Sequence, residues 1–240
     1  MEEKVTMRWI IGVIIGVLAA GGGAVTWIEY FTSNSDNGDA FTWKSLQSNY
    51  LETFNIAYTD PSMLAVWPTF EDDSWAGGIS DGNYCLSSTI DEEGAQYMFV
   101  GLGEENLENT PVSIEVKSKS LPGSTPISAA GLMYRFESSN AYYYAFTVSN
   151  QGVVYFYKKN QDGYKVLYTG KSEVFESDRF NKLAVIGRGD SLHLYINDSL
   201  EKIIEDKELK SGDPGIVGIG IGKHCFDNFT IYKNIDRLPG

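Results

Sequence analysis

Carboxylates gather in three tight groups along the chain: Glu71, Asp72 and Asp73; Asp91, Glu92 and Glu93; and Glu104 with Glu105. Paired carboxylates can cleave glycosidic bonds, one as general acid and the other as nucleophile or base. The pair must then reach one bond, which alternate positions on a strand allow and loop clusters do not ensure. All three groups fall in expected loops. There are two histidines, His193 and His224. His193 sits between Leu192 and Leu194 in a strand pattern, which suits a surface or edge position better than a general base. His224 precedes Cys225, but no third group that would orient a Cys–His pair is visible nearby. The run Gly218–Gly222 (GIGIG) is followed by a strand pattern and not by a helix. It therefore lacks the helix N-terminus a phosphate loop needs, and its glycines suit a bent or closely packed strand.

Bulk properties narrow the partners. The 240 residues are 42% apolar and 13% aromatic, with 15 Tyr and 12 Phe, a mix that favours strands. Net charge is −13, which argues against nucleic acid and anionic lipid surfaces as partners. The two cysteines, Cys85 and Cys225, lie far apart and match no zinc-ligand spacing. They can form a disulfide in an oxidising compartment or remain two unrelated thiols.

Compartment is suggested by the N-terminus. Residues Trp9 to Ile28 (WIIGVIIGVLAAGGGAVTWI) carry no charge. As a helix the run would be roughly 30 Å long, the thickness of a bilayer core. Trp9 and Trp27 bracket it, Lys4 and Arg8 precede it, and Glu29, Asp36 and Asp39 follow. The positive-inside rule places the N-terminus in the cytoplasm and the remainder outside a cell membrane crossed once. A cleavable signal peptide processed near Ala19 to Ala24 is the rival reading; the apolar run continues past those residues, which favours an uncleaved anchor. Gly12, Gly16, Ala20 and Ala24 form a small-residue stripe on which a second membrane helix, or another copy of this one, can pack.

The expected division is a cytoplasmic segment 1–8, a membrane helix 9–29, a linker 30–59 and a β domain 60–234, with a tail at 235–240. Within the linker, Trp43, Leu46, Tyr50 and Phe54 have helix-like spacing and suggest a short helix. Beyond Gly82, apolar–polar alternation predicts eleven strands separated by turns such as Asn150-Gln151-Gly152, Asp162-Gly163, Gly189-Asp190 and Asn197-Asp198. The implied fold is all-β, an antiparallel jelly-roll sandwich.

Three stretches carry a resemblance: AGLMYRFESSNAYYYAFTVSNQGVVYFYKKNQDGYKVLYTG, NKLAVIGRGDSLHLYINDSLEKII and GIVGIGIGKHCFDNFTIY. They resemble concanavalin A-like, laminin-G-type jelly-roll domains, closest to the bacterial DUF1080, or 3-keto-disaccharide hydrolase, family. The resemblance spans roughly Asp60 to Tyr232 and implies an architecture shared by lectins, glycosidases and adhesion modules. It also implies calcium in some members, for which Glu71, Asp72, Asp73 and the pair Asp227-Asn228 supply oxygen ligands, though without EF-hand spacing. The E-x-D-x-x-E pattern of laminarinase-like glycosidases is not found in the acidic groups.

The most suggestive surface is aromatic. Tight turns at 137–140 and at Asn150-Gln151 would set Arg135 opposite Tyr142, Tyr144 opposite Tyr157 and Phe146 opposite Tyr155. Arg135, Tyr142, Tyr144, Tyr155 and Tyr157 would then share one sheet face, able to stack on sugars or anchor a protein. Leu132, Tyr134, Phe136, Ala145, Val154 and Phe156 would line the core; a one-residue slip would exchange the faces. The expected function is a membrane-tethered extracytoplasmic binding module for a glycan or envelope protein, or an accessory subunit of a membrane complex. A sugar-acting hydrolase and a purely structural subunit are the alternatives.

Overall fold

Alternating apolar residues between turn signals produce strands here, and the turn residues take the backbone conformations expected of them. Gly152 (φ 76), Gly163 (φ 94) and Gly189 (φ 59) are left-handed, and so are Asn197 (φ 49) and Asp198 (φ 65) at the tip of one hairpin. The computed structural model describes residues 48–52, 54, 67–88, 95–99, 109–119 and 128–232. The expected membrane helix, with Gly12, Gly16, Ala20 and Ala24, lies outside them.

The described strands run in chain order as β1 (Ser48–Glu52), β2 (Phe70–Glu71), β3 (Trp75–Ser80), β4 (Asn83–Ser88) and β5 (Ala95–Phe99). Next come β6 (Val112–Lys119), β7 (Ala129–Glu137), β8 (Tyr142–Ser149), β9 (Val153–Asn160) and β10 (Gly163–Lys171). The last five are β11 (Asn181–Arg188), β12 (Ser191–Ile196), β13 (Ser199–Glu205), β14 (Asp213–Ile219) and β15 (Gly222–Tyr232). All eleven expected strands are present. Of the helix expected around Trp43 to Phe54, the described part Ser48–Glu52 is instead a strand paired with the end of β15. A period near 3.6 over so few residues could not compete with an open ladder position beside β15.

Two antiparallel sheets result. One has the order β13-β12-β11-β6-β15-β4-β3-β2, with β1 also on β15; the other is β10-β9-β8-β7-β14-β5. Their inner faces interdigitate. Leu86, Ile114, Val116, Val185, Leu194, Phe226 and Ile231 from the first meet Leu132, Tyr134, Tyr144, Phe146, Val148, Phe156 and Ile216 from the second. This is a jelly-roll sandwich. A β-bulge in β15 around Asn228 (φ 50) changes the parity of the strand, so that Phe226 and Phe229 both reach the core.

On the outer face of the first sheet, Cys85 in β4 lies directly opposite Cys225 in β15, and the two are disulfide-bonded. The bond closes a loop of 140 residues and fastens the two strands at the centre of their sheet. Replacing both cysteines by alanine should lower unfolding free energy by about 3–5 kcal/mol, from the chain entropy regained in the unfolded state. Urea denaturation of both proteins measures this, and equal midpoints would contradict it.

Candidate functional site

The five residues expected to share an open face are divided. The turn after β8 contains three residues, Asn150, Gln151 and Gly152, closed by the Gly152 N–H donating to the Ser149 carbonyl at 3.0 Å. Tyr144 therefore pairs with Lys158, and Ala145 with Tyr157. That one extra residue turns Tyr144 and Phe146 into the core and Ala145 outward. Tyr142 packs against the same core. In β7 the bulge at Arg135 (φ 54) draws its side chain inside, where its guanidinium donates to the carbonyls of Leu209 (2.8 Å) and Gly189 (3.2 Å). Tyr155 and Tyr157 do face outward, in a second cluster with Met133, Phe136, Tyr143, Ala145 and Val217. Most of that cluster is buried. It reaches solvent at the edge, where Tyr164 is 63% exposed and Lys159 Nζ lies 5.8 Å from the Tyr143 ring and 5.5 Å from the Tyr164 ring.

Among the described residues, the acidic loop is not gathered with other ligating side chains. Asp72 Oδ1 accepts the N–H groups of Ser74 (2.8 Å) and Trp75 (2.7 Å), and these bonds hold its carboxyl below the usual range. Asp227 Oδ1 accepts the N–H of Asn228, and Glu71 and Asp73 are exposed. Among the described residues no group of three or more His, Cys, Asp or Glu is placed to hold a cation. Cys225 is in the disulfide, so it has no thiolate for His224 to activate.

A concave site occurs instead at the end of the sandwich where β6 and β8 finish and β9 and β11 begin. It is a cavity of about 310 Å³ between the sheets, with Val116, Val148 and Phe175 among its apolar walls. Its polar walls include Ser118, Ser149, Asn150, Ser177, Asp178 and Arg179, with Lys117 and Lys119 also lining it. The loop 172–180 positions Phe175 against Gly152, where any Cβ would sit 2.8 Å from the ring. Gly152 is thus required twice, for its left-handed φ and for this contact. Asn181, 1% exposed, pins the loop with its whole amide: Nδ2 donates to Glu176 O (2.8 Å) and Arg179 O (3.1 Å). Its Oδ1 accepts from Glu176 N (2.8 Å) and Asn197 Nδ2 (2.9 Å). Ser149 Oγ accepts from Val153 N (3.1 Å) and Gln151 N (3.3 Å), leaving its O–H to donate into the cavity. Among the described residues, the side chains of Asn150 and Ser177 have no hydrogen-bond partner.

Ser118 connects this cavity to a buried imidazole. His224 is fully buried, its ring 6.2 Å from that of Trp75, and Gly218 and Gly222 leave room for it. Nδ1 lies 3.2 Å from Ser118 Oγ and Nε2 lies 3.4 Å from the Gly220 carbonyl. A carbonyl only accepts, so we assign the ring proton to Nε2; Nδ1 then accepts from the Ser118 hydroxyl. Burial pushes the imidazole down to about 4, against the pull of the Gly220 and Ile219 carbonyls, so it is neutral at physiological pH. The oxygen of Ser118 remains free to accept from a ligand.

The opposite end of the sandwich is closed by charge. Lys158 of β9 donates to Asp206 (2.6 Å) and pairs with Glu208, while the Tyr144 hydroxyl donates to Asp206 at 2.6 Å. Burial pushes the Asp206 carboxyl up, but hydrogen bonds from Lys158, Tyr144 and the Glu208 N–H outweigh it and hold the group below its ordinary value. The Lys158 hydrogen bond likewise lowers Glu208. Neither carboxyl is poised to donate a proton at neutral pH, which glycoside cleavage requires of one member of a pair. Among the described residues, the 310 Å³ cavity has a single carboxylate in its lining, Asp178. The residues that build it escaped sequence reading because they come from strand ends and one loop. The available signal was Phe175, an aromatic in a polar stretch longer than a hairpin turn needs.

The architecture is that of galectin-like and concanavalin-like jelly rolls. It is similar to a protein of unknown function with a galectin-like fold from Bacillus subtilis, at TM-score 0.56 and 12% identity over 78% of this chain and 96% of that one. It is also similar to the laminarinase (endo-1,3-β-glucanase) catalytic domain of Thermotoga petrophila, at TM-score 0.54 and 10% identity over 79% and 98%. A third likeness is to the β-glucanase of Bacillus licheniformis, at TM-score 0.51 and 10% identity over 78% and 98%. No protein-family description and no curated relative matches the sequence.

Two outcomes test the site's construction. Asn181→Ala should cost about 1–3 kcal/mol by leaving buried backbone groups of the loop unpaired; a change below a few tenths in urea unfolding would contradict the pinning role. The His224 pKa is lower in the folded state than its ordinary 6.5, so the unfolded chain binds the extra proton as pH falls. Stability should therefore decline from pH 6.5 to pH 4 by about 3 kcal/mol from this residue. In His224→Gln that part of the slope should vanish. A variant with the wild-type slope would place the titration elsewhere.

Proposed function

We propose that this chain is a glycan-binding module, tethered to the cell membrane by the helix expected at 9–29 and displayed outside the cytoplasm. The observation that carries this reading is the cavity at the sandwich end. It joins apolar walls, including the Phe175 ring, to hydroxyl and amide groups at Ser118, Ser149, Asn150 and Ser177. A sugar ring has the same two characters, an apolar C–H face and a rim of hydroxyls. About 310 Å³ accommodates one or two sugar units, within the usual range of small-molecule sites. Support of a coarser kind comes from the fold, which the laminarinase and β-glucanase share. The disulfide suits an oxidising compartment, in keeping with the proposed topology. The resemblance to the 3-keto-disaccharide hydrolase family extends to chemistry only if the protein turns over a glycoside. Among the described residues, no pair of carboxylates suited to that lines the cavity.

The test is a glycan array probed with the full chain and with Phe175→Ala. Retained saccharides should lose at least about tenfold in affinity when the ring is removed, the equivalent of 1.4 kcal/mol. Equal binding by both proteins would move the site away from the cavity, and release of sugar fragments would replace binding by hydrolysis.

A further inference from the structure

β13 ends the first sheet and β10 ends the second, and among the described residues no strand pairs with the outer edge of either. The two strands are neighbours across the sandwich. The Tyr168 hydroxyl of β10 donates to Glu201 Oε1 of β13 at 3.0 Å, and Lys202 Nζ lies 5.6 Å from the Tyr168 ring. Of the seven large apolar side chains that the described residues expose, four are on these strands: Tyr164 and Val166 on β10, Leu200 and Ile203 on β13. Their charge is unlike that of the chain. Lys165, Lys171 and Lys202 accompany Glu201 and Glu205, so this side carries one net positive charge on a protein of −13. Two copies of so acidic a chain repel one another over most of their surface, but not here.

The sequence of β13 is also complementary to itself. Its ladder with β12 sets Leu200 opposite Tyr195 and Lys202 opposite Leu194, which makes Glu201 the extra residue of a bulge. That residue brings Leu200 and Ile203, three apart, onto the outward face shared by Tyr195 and His193; regular alternation would divide them. Leu200 is 52% exposed and Ile203 42%. Between them, Glu201 and Lys202 are held together at the open edge by Tyr168, and Glu201 Oε2 remains to accept from a partner. Reverse the run Leu200-Glu201-Lys202-Ile203 about the Glu201–Lys202 peptide and each Leu200 meets the other copy's Ile203, each Glu201 the other copy's Lys202. Apolar and oppositely charged cross-strand pairs are both favourable.

We propose that β13 pairs antiparallel with β13 of a second copy, joining two first sheets into one across a two-fold axis at the Glu201–Lys202 peptide. The interface is isologous, the same patch serving both copies. It covers Leu200 and Ile203 and occupies an edge that would otherwise stand open as a template for pairing.

Sedimentation of the full chain in mild detergent, over a range of protein concentrations, tests it. The unaltered protein should be a reversible dimer. Glu201→Lys sets lysine against lysine on both sides of the axis, and Lys202→Glu sets glutamate against glutamate; each should weaken the dimer at least about tenfold. Mixed together, the two single variants become complementary and should form a one-to-one heterodimer. The double exchange, Glu201→Lys with Lys202→Glu, should dimerise as the unaltered protein does. Recovery in either form also shows that the single variants are folded. Ile203→Asp should weaken the dimer as well, whereas Ile79→Asp, on β3 in the same sheet, should not. A monomer at every concentration would overturn the proposal. So would a dimer indifferent to all these changes, which would be held by another surface such as the Gly12–Gly16 stripe. Loss in the single variants with no recovery on mixing or on double exchange would overturn it too, because the register requires both recoveries.

Discussion

The three-residue turn after β8 decides which aromatic side chains this protein has for its core and which remain for its surface. With Gly152 left-handed and its N–H bonded to the Ser149 carbonyl, β8 and β9 meet in a register that sends Tyr144, Phe146 and Phe156 between the sheets. The stacked rings of Tyr144 and Phe156, 5.6 Å apart, then form one wall of the core, and the Tyr144 hydroxyl reaches Asp206 to help close one end of the sandwich. Gly152 also seats Phe175, and with it the loop that closes off the other end as a cavity. One turn thus governs the core, the inter-sheet ion pair and the candidate site.

The two ends of the sandwich handle polarity in opposite ways. At the Lys158 end, a buried ammonium, two carboxylates and a phenol satisfy one another, which makes the end rigid and chemically quiet. At the Phe175 end, Asn181 is fully engaged in holding the loop, but hydroxyls and an amide around it are left with unused capacity. Unused hydrogen-bonding groups beside an aromatic ring are what a sugar needs.

Much of the architecture was legible in the sequence, because period-two alternation and left-handed turn residues act locally. The eleven expected strands follow from that, and so does the sandwich. Three kinds of feature were not legible. Short or polar strands such as β2 and β13 depend on a neighbour's open edge and have little pattern of their own. Bulges at Arg135 and Asn228 change strand parity without any local mark, and a turn of three residues instead of two exchanged the faces of β8. The aromatic face therefore dissolved, and Arg135 and Tyr144 became interior groups. The cavity draws on β6, β8 and the loop before β11, so only tertiary closure assembles it.

The central claim is that ligand binds at the end of the sandwich, beside Phe175. A structure of the full chain with a bound oligosaccharide tests it most directly. The account predicts the sugar between Phe175 and the Ser149–Asn150 turn, within hydrogen-bond reach of Ser118 or Ser177. A sugar stacked instead on the outer face of the second sheet, against Tyr155 and Tyr164, would contradict it.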